Sequence, residues 1–294
     1  MQLHLVGTFH LLANDAKGHA QLLKRLRGHP NAHVVCEATG GYEQAVVRAL
    51  QSAGVPAGIV EAGRVRYFAR AQGQRAKTDP IDAAVLSEYG TLFKPGATAP
   101  ASPQRQQLAE LAQRRRQLIQ LLVNERNHAA HSADSFRVRQ SRQLVKALAK
   151  QINQWDEAIT TRIVQDPELA RKAERLKAIP GGGPVVAATM LAEMPELGKL
   201  ATQTAAALAG VAPYNRASGG QTGVRRINGG RAAVRCALDM ATLSAGRHDR
   251  LLKEVYLRLR AAGKKPLVAM TAGMRKLVIL MNRHLKNYDF RLAN

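Results

Sequence analysis

Cysteine is nearly absent. The 294 residues contain two, Cys36 and Cys236, with neither C-x-x-C spacing nor histidine-rich neighbours. A disulfide framework and a structural zinc site are thereby excluded, in keeping with a reducing compartment. Long apolar runs are missing too: none approaches the ~18 residues of a membrane span, and the opening MQLHLVGTFH lacks the basic segment and apolar stretch of a signal peptide. The expectation is a soluble, cytoplasmic protein with no membrane partner. Acidic residues are scarce, 21 against 44 Lys+Arg, for a net charge of +23. What is plentiful is aliphatic: with 46% hydrophobic residues the chain can bury an ordinary core, which argues against wholesale disorder.

The charge is not evenly spread. Residues 176–294 carry 19 basic against 6 acidic side chains, more than half of the whole excess. An excess of this kind binds a phosphate backbone and releases condensed counterions, so nucleic acid is the expected partner and its binding should be steeply salt-dependent. Arginine clusters strengthen the expectation, because the planar guanidinium fork matches phosphate geometry.

Residues 1–93 read as an α/β layer. QLHLV and FHLLA form a hairpin around Gly7-Thr8, AKGHAQLLKRLRG and GYEQAVVRALQSAG are helical, and HVVCEA and PAGIVEA are short strands. From Thr78 to Phe93 a helix is predicted, capped by Thr78 or Asp79, with Pro80 in its first turn and Ile81, Val85 and Tyr89 on one stripe. The proline-rich stretch 94–104 marks a linker. Residues 105–170 carry two long helical patterns, the second placing Val138, Leu144, Leu148, Ile152, Trp155, Ile159 and Ile163 near heptad spacing. This predicts an antiparallel coiled-coil hairpin whose stripe is core or oligomer seam, forming a dimer or tetramer. Arg114, Arg115 and Arg116 lie on its first helix. Residues 171–294 form a mainly helical third region with a glycine-rich interruption at 210–230.

Three acidic residues of the first region stand out. Glu37 ends a strand that reads as buried, where a carboxylate needs a partner or a metal. Asp79 and Asp82 are three apart at a helix start, so both can lie on one face, as a divalent-cation site requires; oxygen donors suit Mg2+. In the third region, IPGGGPVVAATMLAEM at 179–194 has the form of helix, glycine hairpin, helix, whose amides can hold a phosphate oxygen or simply make a tight turn. In PYNRASGGQTGVRRINGGRAAVR at 213–235, Ser218 stands in a glycine-rich loop between short helices. Arg216, Arg225, Arg226, Arg231 and Arg235 surround it in sequence, with no acid among them. A serine that attacks phosphorus needs such charge neutralisation.

Together CEATGGYE (36–43), AKTDPIDA (76–83), IPGGGPVVAATMLAEMPELG (179–198), LAGVAPYNRASGG (208–220), GGRAAVR (229–235) and YLRLRAAGKKPLVAMTAGMRKLVIL (256–280) resemble the Piv-like DEDD transposases of bacterial insertion sequences, a group that includes bridge-RNA-guided serine recombinases. The resemblance implies an N-terminal RuvC-like (RNase H-type) domain, a coiled-coil insertion and a mainly α C-terminal transposase domain with a helix–hairpin–helix-like motif. By that pattern Glu37, Asp79 and Asp82 match three members of a Mg2+-binding tetrad, and Ser218 matches the serine that forms a covalent link to DNA. The arginines around it would grip the scissile phosphate, with Arg231 favoured for its place before a helix; Lys264, Arg275 and Lys276 in the tail complete the candidate nucleic-acid-binding set. A structured guide (bridge) RNA would pair with the DNA.

The sequence departs from the family pattern in two places. The strand bearing the first tetrad aspartate does not precede Met1, and Asp15 matches a different family position. A weaker Mg2+ site and a less stable first domain are expected, and an inactive, truncated nucleic-acid-binding remnant is the alternative to a working recombinase. At Gly182 the family usually has a hydrophobic residue, whose loss should loosen the turn.

Overall fold

The computed structural model describes residues 2–5, 8–100, 102–215, 217–218, 221–223 and 225–287. The chain is mainly helical and divides into two units, Met1–Ala101 and Ser102–Asn294.

Unit 1 opens with an antiparallel pair, β1 (Gln2–Leu5) and β2 (Thr8–Leu11), in the register Leu5 opposite Thr8; Gly7 of the expected turn lies outside the described residues. Helix α1 (Ala16–Leu26) starts where the Asp15 carboxylate accepts from the Gly18 amide at 2.8 Å, a side-chain cap that explains why Asp15 is there. Strand β3 (Val34–Glu37), helix α2 (Gln44–Ser52) and strand β4 (Ala57–Val60) make a β-α-β unit with β3 and β4 parallel, Glu37 opposite Val60. Val46, Val47 and Leu50 of α2 close a core with Leu12, Leu22, Leu26 and Ala57. The sequence reading passed over a helix, α3 (Ala62–Ala71), which buries only Val65. Helix α4 (Asp79–Phe93) follows the predicted bounds and stripe: Val85 and Tyr89 pack with Val60 and Val65, Ile81 alongside. Its approach to β3 is close, since a Cβ on Gly90 would meet Val35 Cγ2 at 2.8 Å.

The first half of the 94–104 stretch is tied down on unit 1 through Thr98. The Thr98 amide donates to the Ala57 carbonyl at 2.8 Å, the Ile59 amide donates to Thr98 Oγ1 at 3.1 Å, and the Gln51 side chain donates to the Thr98 carbonyl at 2.8 Å. The segment therefore lies along β4, and the next helix begins at Pro103, earlier than expected.

In unit 2, α5 (Pro103–Ala130) and α6 (Ser135–Gln165) form the expected antiparallel hairpin. Leu118, Leu122 and Leu148 pack with Ile152 and Trp155, whereas Leu108, Ile159 and Ile163 join the core of the body beyond. Leu144 is corrected: it is 48% exposed, because the inward stripe runs through Val145 one position on. Helix α7 (Pro167–Lys177) leads through the glycine turn into α8 (Pro184–Glu193) and α9 (Thr202–Leu208). Four two-residue strands follow: β5 (Pro213–Tyr214), β6 (Ala217–Ser218), β7 (Gln221–Thr222) and β8 (Arg226–Ile227). Helices α10 (Ala232–His248), α11 (Arg250–Ala261) and α12 (Pro266–Lys286) complete the unit. Leu176, Met190, Leu238, Leu277 and Met281 are fully buried at its centre. Two polar clasps seal it. Asn282, 2% exposed, accepts from the Gly198 amide and donates to the Leu200 carbonyl, both at 2.8 Å. The Arg175 guanidinium donates to the carbonyls of His284 and Asn287, filling acceptors that α12 leaves open at its C-terminus.

Candidate functional site

In unit 1 the end of β3 and the start of α4 meet a cleft of about 1300 Å³, whose lining includes Glu37, Asp79 and Asp82 together with Thr39, Glu43 and Lys77. The fold thus brings the three predicted carboxylates to the lining of one cavity, with α4 packed closely on β3 where Gly90 meets Val35. Glu37 is half-buried rather than buried. β3 pairs with β4 alone among the described residues, so the strand is only partly covered and the burial premise for Glu37 does not hold. Asp79 and Asp82 lie in the first turn of α4, where the helix dipole also favours them; Thr78 has the extended cap backbone but makes no side-chain cap bond.

The chemistry of these donors fits an oxygen-seeking divalent ion. Among the described residues, however, no three acidic, histidine or cysteine side chains stand close enough to share one. Mg2+ is commonly held by one or two carboxylates, with water and phosphate oxygens supplying the rest. Asp79 and Asp82 on one helical turn suit that mode.

The sequence reading overlooked Glu43. Burial pushes its carboxyl upward, but hydrogen bonds from its own amide, the Thr39 amide, the Gln44 side chain and the Gly41 amide outweigh this and hold it below the ordinary glutamate value. Its carboxylate accepts from Thr39 N at 3.1 Å and Gly41 N at 2.9 Å, fixing the turn that follows β3. The signal was present in the T-G-G-x-E spacing, since a carboxylate four residues on can reach back to a glycine turn. Next to it, the Cys36 thiol is pushed up to about 11, by burial first and then by the charge on Glu43, so it is no nucleophile at neutral pH.

In unit 2 the segment expected to be a loop between helices is a β-arm. Tyr214 pairs with Arg226 and Pro213 with Ile227; further out Ala217 pairs with Thr222 and Ser218 with Gln221. Ser218 therefore ends β6 opposite Gln221; Gly219 and Gly220, which follow it in sequence, lie outside the described residues. The Arg216 side chain and the Ser218 hydroxyl lie outside the described residues. The root of the arm is closed tightly: the Arg231 amide donates to the Leu208 carbonyl at 2.8 Å, and a Cβ on Gly230 would fall 2.2 Å from the Gly210 amide nitrogen.

The arginines separate into two groups. Arg231 holds Glu196 through two bonds of 2.7 Å and donates to the Glu193 carbonyl at 2.8 Å. Hydrogen bonding to Glu196 raises its pKa. The residue favoured for phosphate contact is thus committed to a structural clamp between α10 and the 194–200 segment. Arg235 donates to the Gly229 carbonyl at 2.8 Å and braces the same root. Arg225 and Arg226 are exposed, with no such engagement among the described residues. On α5, Arg115 pairs with Asp156 and Arg116 with Glu193, leaving only Arg114 of that run without an acidic partner. Lys264 and Lys276 are exposed and Arg275 is half-buried.

The glycine turn at 180–183 joins α7 to α8 as a helix–hairpin–helix. Gly182 is buried, and a Cβ there would fall 1.9 Å from the Leu176 carbonyl oxygen. The turn is not loosened: backbone has moved into the space where a side chain would sit.

No helix among the described residues is long and apolar enough to cross a membrane. Residues 3–137 match the DEDD_Tnp_IS110 model, described as a transposase, and residues 173–257 match the model of the transposase IS116/IS110/IS902 family. The pilin gene-inverting proteins of Moraxella bovis and Moraxella lacunata are each 28% identical to this chain over 277 residues, covering 91% of it and 85% of the relative. The first match takes in the carboxylates of unit 1 and runs on through α5 of unit 2, the second takes in the serine arm, and the chain belongs to the IS110 family of transposases.

Proposed function

We propose that this chain is an RNA-guided recombinase of an insertion sequence that cuts and rejoins DNA through Ser218. The β-arm supports the reading best: a serine at the end of β6 followed in sequence by Gly219 and Gly220, with Arg225 and Arg226 nearby in sequence and uncommitted. Glycine carries no side chain, so a phosphodiester can come close to a serine beside two of them. As the Oγ–phosphorus bond forms, the bond from phosphorus to one deoxyribose oxygen breaks, and the proton given up by serine balances the charge on the departing oxygen. Guanidinium groups stabilise the charge that builds on the phosphoryl oxygens. Arg225 and Arg226 take that role, because Arg231 is occupied by Glu196.

In unit 1, Asp79 and Asp82 on one helical turn would hold Mg2+, with Glu37 lining the same cleft, and the ion would supply positive charge to a phosphate oxygen. The family's typical use of a divalent metal and the shared cleft support that assignment. The RuvC-like reading of unit 1, a structured guide RNA as partner and assembly through the α5–α6 hairpin belong to the same proposal.

The test is to incubate the protein with labelled DNA and its RNA, denature, and look for DNA bound covalently to protein. The parent forms the adduct and Ser218→Ala does not, while still binding DNA. An alanine variant that still recombines DNA, or nicked DNA carrying no protein, would overturn the serine assignment. Nucleic-acid binding with no strand cleavage under any of these conditions would favour the inactive remnant.

A further inference from the structure

The first half of α6 is more strongly charged than a solvated helix face requires. Residues 135–150 hold Arg137, Arg139, Arg142, Lys146 and Lys150 and no acid. At 100° per residue, Arg139, Arg142, Lys146 and Lys150 fall within one narrow arc. That arc points away from the seam, which α6 presents to α5 through Leu148 and Ile152. All four cations are exposed, and none has an ion pair or hydrogen-bond partner among the described residues. Arg139 lies 5.7 Å over the Phe136 ring, and that ring is itself 59% exposed. The acids at this end of the hairpin are already engaged: Asp134 caps α6 through the Phe136 and Arg137 amides, and Glu125 accepts from the Ser141 hydroxyl.

Several other cations of the unit are neutralised. Arg115, Arg116, Lys172 and Arg231 each have a carboxylate. Like charges left unpaired along one stripe repel, by a few tenths of a kcal/mol per neighbouring pair, and no acid among the described residues pairs with them. A shallow concavity of about 550 Å³ runs along the stripe, lined by Ser135, Val138, Arg139, Arg142, Gln143 and Lys146. Two of these add hydrogen-bonding groups beside the charges. From Arg139 to Lys150 the helix rises about 16 Å at 1.5 Å per residue, about five steps of a duplex strand at 3.4 Å each.

We propose that the basic stripe of α6 is a second DNA-binding surface, one that grips the phosphate backbone of a duplex without reading its sequence. The proposal rests on the DNA-recombining reading above but uses neither the carboxylate cleft nor the serine arm. A second copy of this chain is a poor occupant. A two-fold contact sets a patch against itself, and here that would oppose cation to cation; any self-association of the hairpin must use another face.

The test is a salt titration of binding to a short duplex DNA by the full chain and by the combined variant Arg139→Gln, Arg142→Gln, Lys146→Gln, Lys150→Gln. Glutamine is a good helix former, so helix content by circular dichroism should be retained. With a slope of about 0.9 per neutralised phosphate, losing four contacts lowers the slope of log affinity against log salt by about 3.6. Between 50 and 200 mM salt, the parent would then lose about 150-fold more affinity than the variant. A control neutralising Lys24, Arg25 and Arg27, exposed at the end of α1, should leave the slope almost unchanged. Equal slopes for parent and stripe variant overturn this inference and leave the function reading standing. So does an equal fall in the control, or a fall seen with a structured RNA and not with duplex DNA. A parent that binds no DNA overturns both.

Discussion

Three consecutive glycines at the α7–α8 turn allow a steric explanation to be separated from a general loss of turn flexibility. A Cβ at Gly181 would lie 2.3 Å from the Ala241 carbonyl oxygen, at a backbone φ of +80; one at Gly182 would lie 1.9 Å from the Leu176 carbonyl oxygen; one at Gly183 would meet nothing within 4 Å. Leu176 is fully buried, so relief at Gly182 requires the last turn of α7 to move rather than a side chain to swing. Overpacking of this kind costs about 3 kcal/mol. For a unit the size of Ser102–Asn294, that lowers Tm by about 6–12 °C at roughly 2–4 °C per kcal/mol. Gly181→Ala adds a left-handed backbone penalty of about 1–2 kcal/mol. Gly183→Ala, which only replaces a tolerable N-cap by a poor one, costs about 1 kcal/mol or less. Scanning calorimetry on the three variants, following the transition of the second unit, gives the ranking. A Gly182→Ala protein melting within about 2 °C of the parent would refute the packing described for this turn. Equal losses at all three positions would mean that steric overlap does not set them, since the lower unfolded-state entropy of alanine by itself stabilises.

Arg231→Ala removes a bidentate carboxylate pair and a bond to the Glu193 carbonyl; allowing for its partial exposure, it should cost about 1–2 kcal/mol and lower Tm measurably. Arg225→Ala and Arg226→Ala should weaken DNA binding with Tm unchanged, and a stable Arg231→Ala protein would return Arg231 to the phosphate-binding candidates. Glu43 makes a pH prediction. Its folded carboxyl titrates below the ordinary 4.5, so its contribution is complete above that value and lost as pH falls through the folded value. Melting of parent and Glu43→Gln between pH 3 and 6 should converge on acidification; a difference independent of pH would mean the turn gains nothing from the ionised form.

The elements visible in the sequence were those whose cause is local. Thr78-Asp79-Pro80 fixes a helix start within four residues, and Asp15 caps α1 from three residues away. The long hairpin was legible because its apolar spacing persists for eight turns, although the phase slipped at Leu144, where the larger side chain was read as inward and Val145 takes the place. Helix α3 offers one buried residue and hence almost no stripe. Strands of two residues carry no alternation to detect, so the arm around Ser218 was read as loop between helices. Pairings across long separations were out of reach: Glu196 is 35 residues from Arg231, and Thr98 is 39 from the Ile59 amide that it receives. The carboxylate candidates were legible as a set because motif order carried them, but how far each is buried depended on packing.

The Ser218 arm leaves the helical body and returns to it side by side, with Leu208 and Arg231 one hydrogen bond apart and Gly210 and Gly230 in backbone contact. A segment joined in this way is a cassette. Since closure entropy grows only logarithmically, doubling the number of residues beyond the joint costs about 0.6 kcal/mol, with no core residue asked to repack. The body can therefore carry arms of different length or sequence, and so different reach for the serine, on one unchanged foundation. The two joint glycines are fixed by contact: a Cβ at either would fall within 2.5 Å of a facing atom.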